Sequence, residues 1–401
     1  MGGRCTRARS FPAGPRSRTA SCPPSATDAP VRAVGLRASY RLNCRHLREA
    51  LSVAGAIGRE QTVEAPPGVG GDRLQARMLG RIERLEPERG GRWLARVAYP
   101  LDATTTELTQ ILNVAYGNVS LMDGVRLVRL ELAPAVLRSL PGPRVGIRGI
   151  RSLARASARP LVSAAVKPIG LSSSGLARQA AAFARAGVDV VKDDHGLAVQ
   201  GSAPFAERTR VIAEAVAGAN AAVGGHTAYF PNLTGPLDTL EERLERVEAL
   251  GLAGVVLCPS LMGLDALRRV AAGPRAPAIM AHPSHAQTAP GRAEGIAPDV
   301  LLGTLYRVAG ADIVVYVNAG GRFAWPEETC HAINKRLREP LERHRRALPA
   351  PAGGVNAAEA GHWFGRYGPD TMLLIGGSLL VQRDLEGAAR RLVEAALRWE
   401  G

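Results

Sequence analysis

Along the second half of the chain the apolar positions fall into short runs separated by long amphipathic stretches. The runs are 161–166 (LVSAAV), 188–191 (VDVV), 221–225 (AAVGG), 253–257 (AGVVL), 278–281 (AIMA), 312–316 (DIVVY), 350–353 (PAGG) and 371–375 (TMLLI). Their near-continuous apolar character predicts strands covered on both faces, as in a parallel sheet. Between them, SGLARQAAAFARAG, PFAERTRVIAEAVAG, LDTLEERLERVEALG and DLEGAARRLVEAALRWEG repeat their apolar residues with helical spacing, and each is long enough for a crossover helix. Eight such units over residues 151–401 predict a (β/α)8 barrel. Residues 37–150 mix strand-like ARVAYPL and VRLVRLEL with helical LTQILNVAYG, and read as a smaller α+β domain.

The first 36 residues show no apolar periodicity. They hold six arginines (Arg4, Arg7, Arg9, Arg16, Arg18, Arg32) against one acid, Asp28, and are rich in Ser, Pro and Gly. That composition predicts disorder. A transit peptide shares the Arg/Ser bias, but this segment has neither an amphipathic face nor an apolar stretch, so an inert tail is the expectation.

The chain of 401 residues is 46% hydrophobic and 22% charged, with a net charge of +15. The excess is partly the leader's; elsewhere arginines alternate with acids, as in RIERLEPERGGR, and few aromatics accompany them. That pattern argues against nucleic-acid binding. No run approaches the roughly 18 apolar residues a membrane helix needs. Five cysteines (Cys5, Cys22, Cys44, Cys258, Cys330) lack paired metal-ligand spacing, which points to reduced thiols and a cytoplasmic location.

Lysine usage sharpens the picture. Among 51 basic residues only Lys167, Lys192 and Lys335 are lysine. An amine can lose its proton or form a carbamate where a guanidinium cannot. Lys335 sits in the polar helical run HAINKRLREPLERHRR and reads as solvated surface, but Lys167 and Lys192 each end an apolar strand.

Barrel chemistry gathers where strands end. Lys167-Pro168 follows the first predicted strand, Lys192-Asp193-Asp194-His195 the second, His226 the third, His282 the fifth and Asn318 the sixth; Gly353-Gly354 and Gly376-Gly377 follow the seventh and eighth. Glycine loops after strands 7 and 8 expose backbone N–H groups suited to a phosphate. A phosphorylated substrate is the expectation.

These residues carry a resemblance. GPRVGIRGIRSLARASARPLVSAAVKPIGLS and GVDVVKDDHGLAVQGSAPFAERTRV resemble the passages into barrel strands 1 and 2 of the RuBisCO large chain, and from Ala38 onward the chain looks most like that family's non-carboxylating relatives, the RuBisCO-like proteins. The resemblance implies a ferredoxin-like N-terminal domain before the barrel and a carbamate formed by CO2 on Lys192. It implies a divalent metal, Mg2+, held by that carbamate with Asp194 and His195, and Lys167 as the active-site lysine beside a bound enediolate. It places His282 at the rim as a second proton-transfer group and Gly354, Gly376 and Gly377 at a phosphate site. Glu60 in GREQTVE and Asn118 in AYGNVSL match residues that close the neighbouring subunit's site, so a homodimer is implied.

The departures are informative. KPIGL lacks the family's second strand 1 lysine. Pro283 and Val315 stand where the family has the arginine and histidine of its second phosphate site, Ala352 stands where it has the serine of its strand 7 motif, and the loop NAGGRFAWPEE carries Arg322 but no lysine. Carboxylation of ribulose bisphosphate is therefore not expected. His195 stands where the family has glutamate, and imidazole suits Mn, Fe, Ni or Zn better than Mg2+. Three arrangements stay open: His195 ligates a softer cation, a water replaces it on Mg2+, or metal is absent and His195 is an acid/base. His226 and His285 are ambiguous, while His331, His344 and His362 read as surface or helix residues.

Known activities of RuBisCO-like proteins include enolisation of a diketo-methylthiopentyl phosphate, isomerisation of methylthioribulose phosphate, and decarboxylation or transcarboxylation of 3-oxo-isoapionate 4-phosphate. All act on singly phosphorylated substrates, matching one surviving phosphate site. KDDH, KPIGL and Arg322 as a carboxylate partner favour decarboxylation; a methylthio substrate would instead need an apolar pocket from the N-terminal domain or the strand 6 loop. The reading from another class is a silent sugar-phosphate-binding barrel.

Overall fold

The computed structural model describes residues 33–400. Most of the expected leader lies outside the described residues. Its last positions do not fit that expectation: strand β1 (Val34–Leu42) already starts at Val34, which pairs with Pro100, and Leu36, Ala38, Tyr40 and Leu42 alternate into the core.

Strands β1, β2 (Arg81–Glu88), β3 (Arg92–Pro100) and β4 (Val125–Leu132) form an antiparallel sheet in the order β4-β1-β3-β2. Helix Leu47–Glu60 joins β1 to β2, and helix Leu108–Tyr116 lies between β3 and β4. This is ferredoxin-like topology. The first helix buries Ala50, Ala54 and Ile57, one stripe at helical spacing. Tyr40 pins the second by donating its hydroxyl to the Ala115 carbonyl at 2.8 Å.

The rest is a parallel barrel. Its strands are β5 (Leu161–Val166), β6 (Val190–Asp193), β7 (Ala228–Phe230), β8 (Gly254–Leu257), β9 (Ala278–Ala281), β11 (Ile313–Val317), β12 (Leu348–Ala352) and β13 (Met372–Ile375). They run as β13-β5-β6-β7 and β8-β9-β11-β12. The Val256 N–H and carbonyl join the two arcs by pairing with Pro231 and Leu233 just past β7. The short strand β10 (Gly295–Ile296) leaves the barrel and pairs in parallel with β4.

Seven of the eight runs lie on strands, displaced by up to two residues. The third does not: AAVGG is the end of helix Phe205–Val223, whose buried Ile212, Val216 and Ala219 continue helical spacing until Gly224 terminates it at φ 64°. Its apolar residues are helix, and the strand follows four residues later at Ala228–Phe230.

Inside the barrel, Leu161, Val190, Phe230, Val256, Met280 and Ile313 stack as a packed core. Size alternates across it: a Cβ at Gly254 would lie 2.1 Å from the Phe230 ring, so only glycine fits opposite that phenylalanine. Helix Gly146–Leu153, which spans position 150, closes the floor with Ile147 and Ile150. Asp312 holds that floor by accepting from the N–H groups of Val145, Gly146 and Ile279 at 2.7, 2.7 and 2.9 Å. Among the described residues no helix is long and apolar enough to cross a membrane.

Candidate active site

Strand alternation sends every second residue into the barrel. On β6, Val190 packs in the interior, Val191 faces the helices, and Lys192 turns inward again; on β9, Met280 is interior and His282 is next in phase. The same phase brings Lys167, Lys192, Asp194, His282, Gly354 and Gly376 to one cavity of about 630 Å3 at the carboxyl ends of the strands. His195, Gly377 and Arg322 also line it.

Lys192 is 1% exposed and donates to the Asp193 carbonyl at 2.9 Å. Burial pushes its amine towards the neutral form, outweighing the attraction of Asp194. Asp194 is the opposite case. Burial raises its carboxyl, but His195 beside it and the charges of Lys192 and Lys167 together hold it well below the usual carboxylate range. Lys167 Nζ and His195 Nδ1 each stand 3.6 Å from Asp194 Oδ1.

The Lys167 backbone is fixed by Gln179, which donates to its carbonyl at 2.7 Å and accepts from its N–H at 3.1 Å. A Cβ at Gly376 would fall 2.9 Å from Lys167 Nζ, so this glycine makes room for the amine. The His195 and His282 rings stack, 4.1 Å between centroids and 11° from parallel. Ser284 N–H donates to His282 Nδ1 at 3.2 Å, which leaves the proton of the neutral ring on Nε2. Burial, with the neighbouring Lys192 and His195 adding to it, holds that imidazole neutral to well below its ordinary titration range.

Asp193 points away from the cavity. It accepts from Arg208 Nε at 3.0 Å, Tyr229 OH at 2.8 Å and Asn232 N–H at 3.1 Å, which occupies both its oxygens. Asn232 in turn donates to the His195 and Leu197 carbonyls, both at 3.0 Å, and so holds the loop after β6. Sequence reasoning missed both Arg208 and Asn232. The misplaced third strand hid Asn232; Arg208, inside an amphipathic helix, gave no signal of its burial.

His226, expected at the strand 3 rim, precedes β7 and contacts the Ala154 carbonyl at 2.7 Å at the opposite end of the barrel. His344, read as surface, is 7% exposed, because its ring packs over Gly142 and its Nε2 donates to the Leu140 carbonyl. Glu60 and Asn118 do not line this cavity. They meet on the N-terminal domain, Asn118 Nδ2 donating to Glu60 Oε1 at 3.0 Å and to Glu64 Oε1 at 3.2 Å.

The family profile described as ribulose bisphosphate carboxylase large chain, catalytic domain, matches residues 146–381. The chain is 38% identical over 351 residues to ribulose bisphosphate carboxylase-like protein 1 of Rhodopseudomonas palustris, covering 87% of this chain and 94% of that one. It is 35% identical over 351 residues to 5-methylthioribulose-1-phosphate isomerase of Rhodospirillum rubrum, covering 87% and 92%. Against 2,3-diketo-5-methylthiopentyl-1-phosphate enolase of Geobacillus kaustophilus identity is 32%, with 75% and 74% covered. The crystal structure of a Rubisco-like protein from Rhodopseudomonas palustris superposes with a TM-score of 0.82 at 35% identity, over 92% of this chain and 99% of that one. A likeness of this extent, in sequence and in fold, shows that the chain belongs to the RuBisCO large-chain family, on its RuBisCO-like branch.

Proposed function

We propose that the chain moves a proton between carbons of a singly phosphorylated ketose with an uncharged far end, as a 5-methylthioribulose-1-phosphate isomerase does. The observation that carries this reading is the wall contributed by the loop after β11. Phe323 and Trp325 line the cavity there, and the one cation of that loop, Arg322, which also lines it, lies over the Phe323 ring at 4.8 Å. Such a wall suits a thioether better than a second phosphate. Backbone N–H groups of Gly354, Gly376 and Gly377 would hold the single phosphate.

Among the described residues no three His, Cys, Asp or Glu side chains converge to hold a metal ion. Asp194 and His195 supply one oxygen and one nitrogen 3.6 Å apart, so a cation fits here once Lys192 provides a third ligand as a carbamate. The buried amine favours that, since CO2 adds to the neutral form. The mixed donor set accommodates Mn2+ as well as Mg2+. A divalent cation would supply Lewis acidity, easing loss of the proton beside a ketone. Lys167 is the group for removing or returning that proton, and neutral His282 offers a second N–H at the cavity edge.

Arg322 supports a second reading, decarboxylation of a β-keto acid sugar phosphate, because it is the cavity-lining cation of that loop. Proton NMR in D2O separates the readings, using 5-methylthioribulose 1-phosphate, the diketo-methylthiopentyl phosphate and 3-oxo-isoapionate 4-phosphate. Each is incubated with Mg2+ or Mn2+ and bicarbonate, and with both withheld. Deuterium entry and a new ketose from the first, abolished in Lys167→Ala, is the expected result. Exchange into the diketone alone moves the assignment to an enolase, CO2 release from the third to a decarboxylase, and silence with all three to a binding protein.

A further inference from the structure

Segment 282–297 runs from the end of β9 through β10, and its first half, His282 to Ala289, lines the same cavity as Phe323 and Trp325. It is held at both ends. Its start is barrel strand β9; its end is stitched into the N-terminal sheet, where Gly295 and Ile296 pair with Arg126 and Leu127. Arg126, 4% exposed, donates to the carbonyls of Ala289 at 2.7 Å and Arg292 at 2.5 Å, and Tyr116 OH accepts from Gly295 N–H at 2.7 Å. Thr288 Oγ1 donates to the Ile296 carbonyl at 2.7 Å.

Within this fixed frame His285 and Gln287 stand at φ 61° and 50°, and across the cavity Ala324, between Phe323 and Trp325, stands at 44°. Left-handed backbone is costly for any residue with a Cβ and free for glycine. Conformation alone would be met better by glycine, so the side chains at 285 and 287 have a use of their own. Both line the cavity, and they are joined, Gln287 Nε2 to His285 Nε2 at 2.9 Å. An amide nitrogen only donates, so His285 Nε2 accepts and the ring proton sits on Nδ1. The pair therefore offers two free donors, His285 Nδ1–H and the second amide N–H of Gln287, and one acceptor group, Gln287 Oε1. With the amide turned over, Gln287 Oε1 accepts from His285 Nε2–H, His285 Nδ1 becomes the acceptor, and both amide N–H groups are free donors.

We infer that His285 and Gln287 read a hydroxyl of the substrate's carbon chain, the one common group that both donates and accepts, and so select a polyhydroxylated ketose phosphate over a diketone or deoxy analogue. The inference deepens the proposed function and rests on its assignment of the cavity to a sugar phosphate. Both side chains are exposed, so an analogue without the hydroxyl leaves them hydrogen-bonded to water and forfeits only the net gain of the lost bonds, a difference of about tenfold or less.

Calorimetric binding of ribitol 1-phosphate and its 3,4-dideoxy counterpart tests it. The wild-type chain is expected to prefer the hydroxylated probe about tenfold. His285→Gly and Gln287→Gly relieve the left-handed strain, so both variants fold, and in each the preference should fall to about twofold or less. Equal binding of the two probes by the wild type, failure to bind either, or a preference unchanged in both variants overturns the inference. Neither probe has a ketone to enolise, so the result stands apart from whether the chain isomerises anything.

Discussion

Arg208 Nε donates to Asp193 Oδ2 at 3.0 Å with neither side chain exposed to any extent. The guanidinium also donates to the Ala198 and Ala203 carbonyls at 2.9 and 2.7 Å. One ion pair thus ties the end of β6 to helix Phe205–Val223 and to the loop that carries His195. Adjacent aspartates have opposite tasks: Asp193 anchors the strand end from outside the barrel, and Asp194 faces the cavity.

That division predicts opposite outcomes for two similar substitutions. Arg208→Leu leaves Asp193 buried and unpaired, and should cost about 3–5 kcal/mol of stability. Asp193→Asn should be destabilising in the same direction, since it turns an N–H towards Arg208 or Tyr229. Asp194→Asn should leave the unfolding midpoint close to wild type and abolish activity. Urea unfolding followed by circular dichroism, beside the exchange assay, reads both; a stable Arg208→Leu protein would refute the anchoring role.

Gly376 governs the position of Lys167. A Cβ at 376 would meet the Lys167 amine at 2.9 Å and its Cε at 2.8 Å, both at the free end of a flexible side chain. Gly376 has φ −127° and ψ −80°, outside the regions that alanine favours. Gly376→Ala should therefore lower the melting temperature by a few degrees while the lysine swings aside. Displacement of a reacting group by about 1 Å costs on the order of 100-fold in rate. Equal activity in the variant would mean that Lys167 does not work from this position.

The barrel was legible because its strands are apolar on both faces, and the residues ending them lie in phase with the interior. Lys167, Lys192, His282 and the two glycine pairs were found that way. The third strand was not, because the end of helix Phe205–Val223 is as apolar as a buried strand and the true strand Ala228–Phe230 has three residues. Arg208 and His344 were invisible for another reason: polar residues in amphipathic runs look solvated until the packing of other elements over them is known. The pairing of His285 with Gln287 depends on loop geometry that no periodicity encodes.

His344 gives stability a dependence on pH. Burial lowers its pKa from the ordinary imidazole value of about 6.5, more than its bond to the Leu140 carbonyl raises it, and Arg307 and Arg343 add to the lowering. Its Nδ1 has no partner, so the neutral ring is the form the fold accepts. The unfolded chain binds this proton more readily than the folded one, so stability is lost as pH falls below about 6.5, by up to about 1.4 kcal/mol per pH unit. His344→Gln keeps a donor for Leu140 and should show a shallower loss between pH 7.5 and 5.5. Parallel profiles for the two proteins would remove His344 as the cause.

The final prediction concerns Glu60 and Asn118. They sit together on the N-terminal domain, outside the cavity, near Leu121, which is 85% exposed. If they complete the site of a second copy, catalytic groups from two chains meet in one cavity, and single-site variants should complement each other. Glu60→Ala and Lys167→Ala homodimers should each be inactive. In a mixed dimer, one cavity receives both lesions and the other receives intact Lys167 from one chain and intact Glu60 from its partner. Random pairing of equal amounts makes half the dimers mixed, each with one sound site of two, so activity should return to about a quarter of wild type. Coexpression with two affinity tags isolates the mixed species. Leu121→Asp should abolish the recovery, because a charge on that exposed apolar residue opposes pairing. Persistent inactivity of a purified mixed dimer would show that Glu60 does not act across subunits.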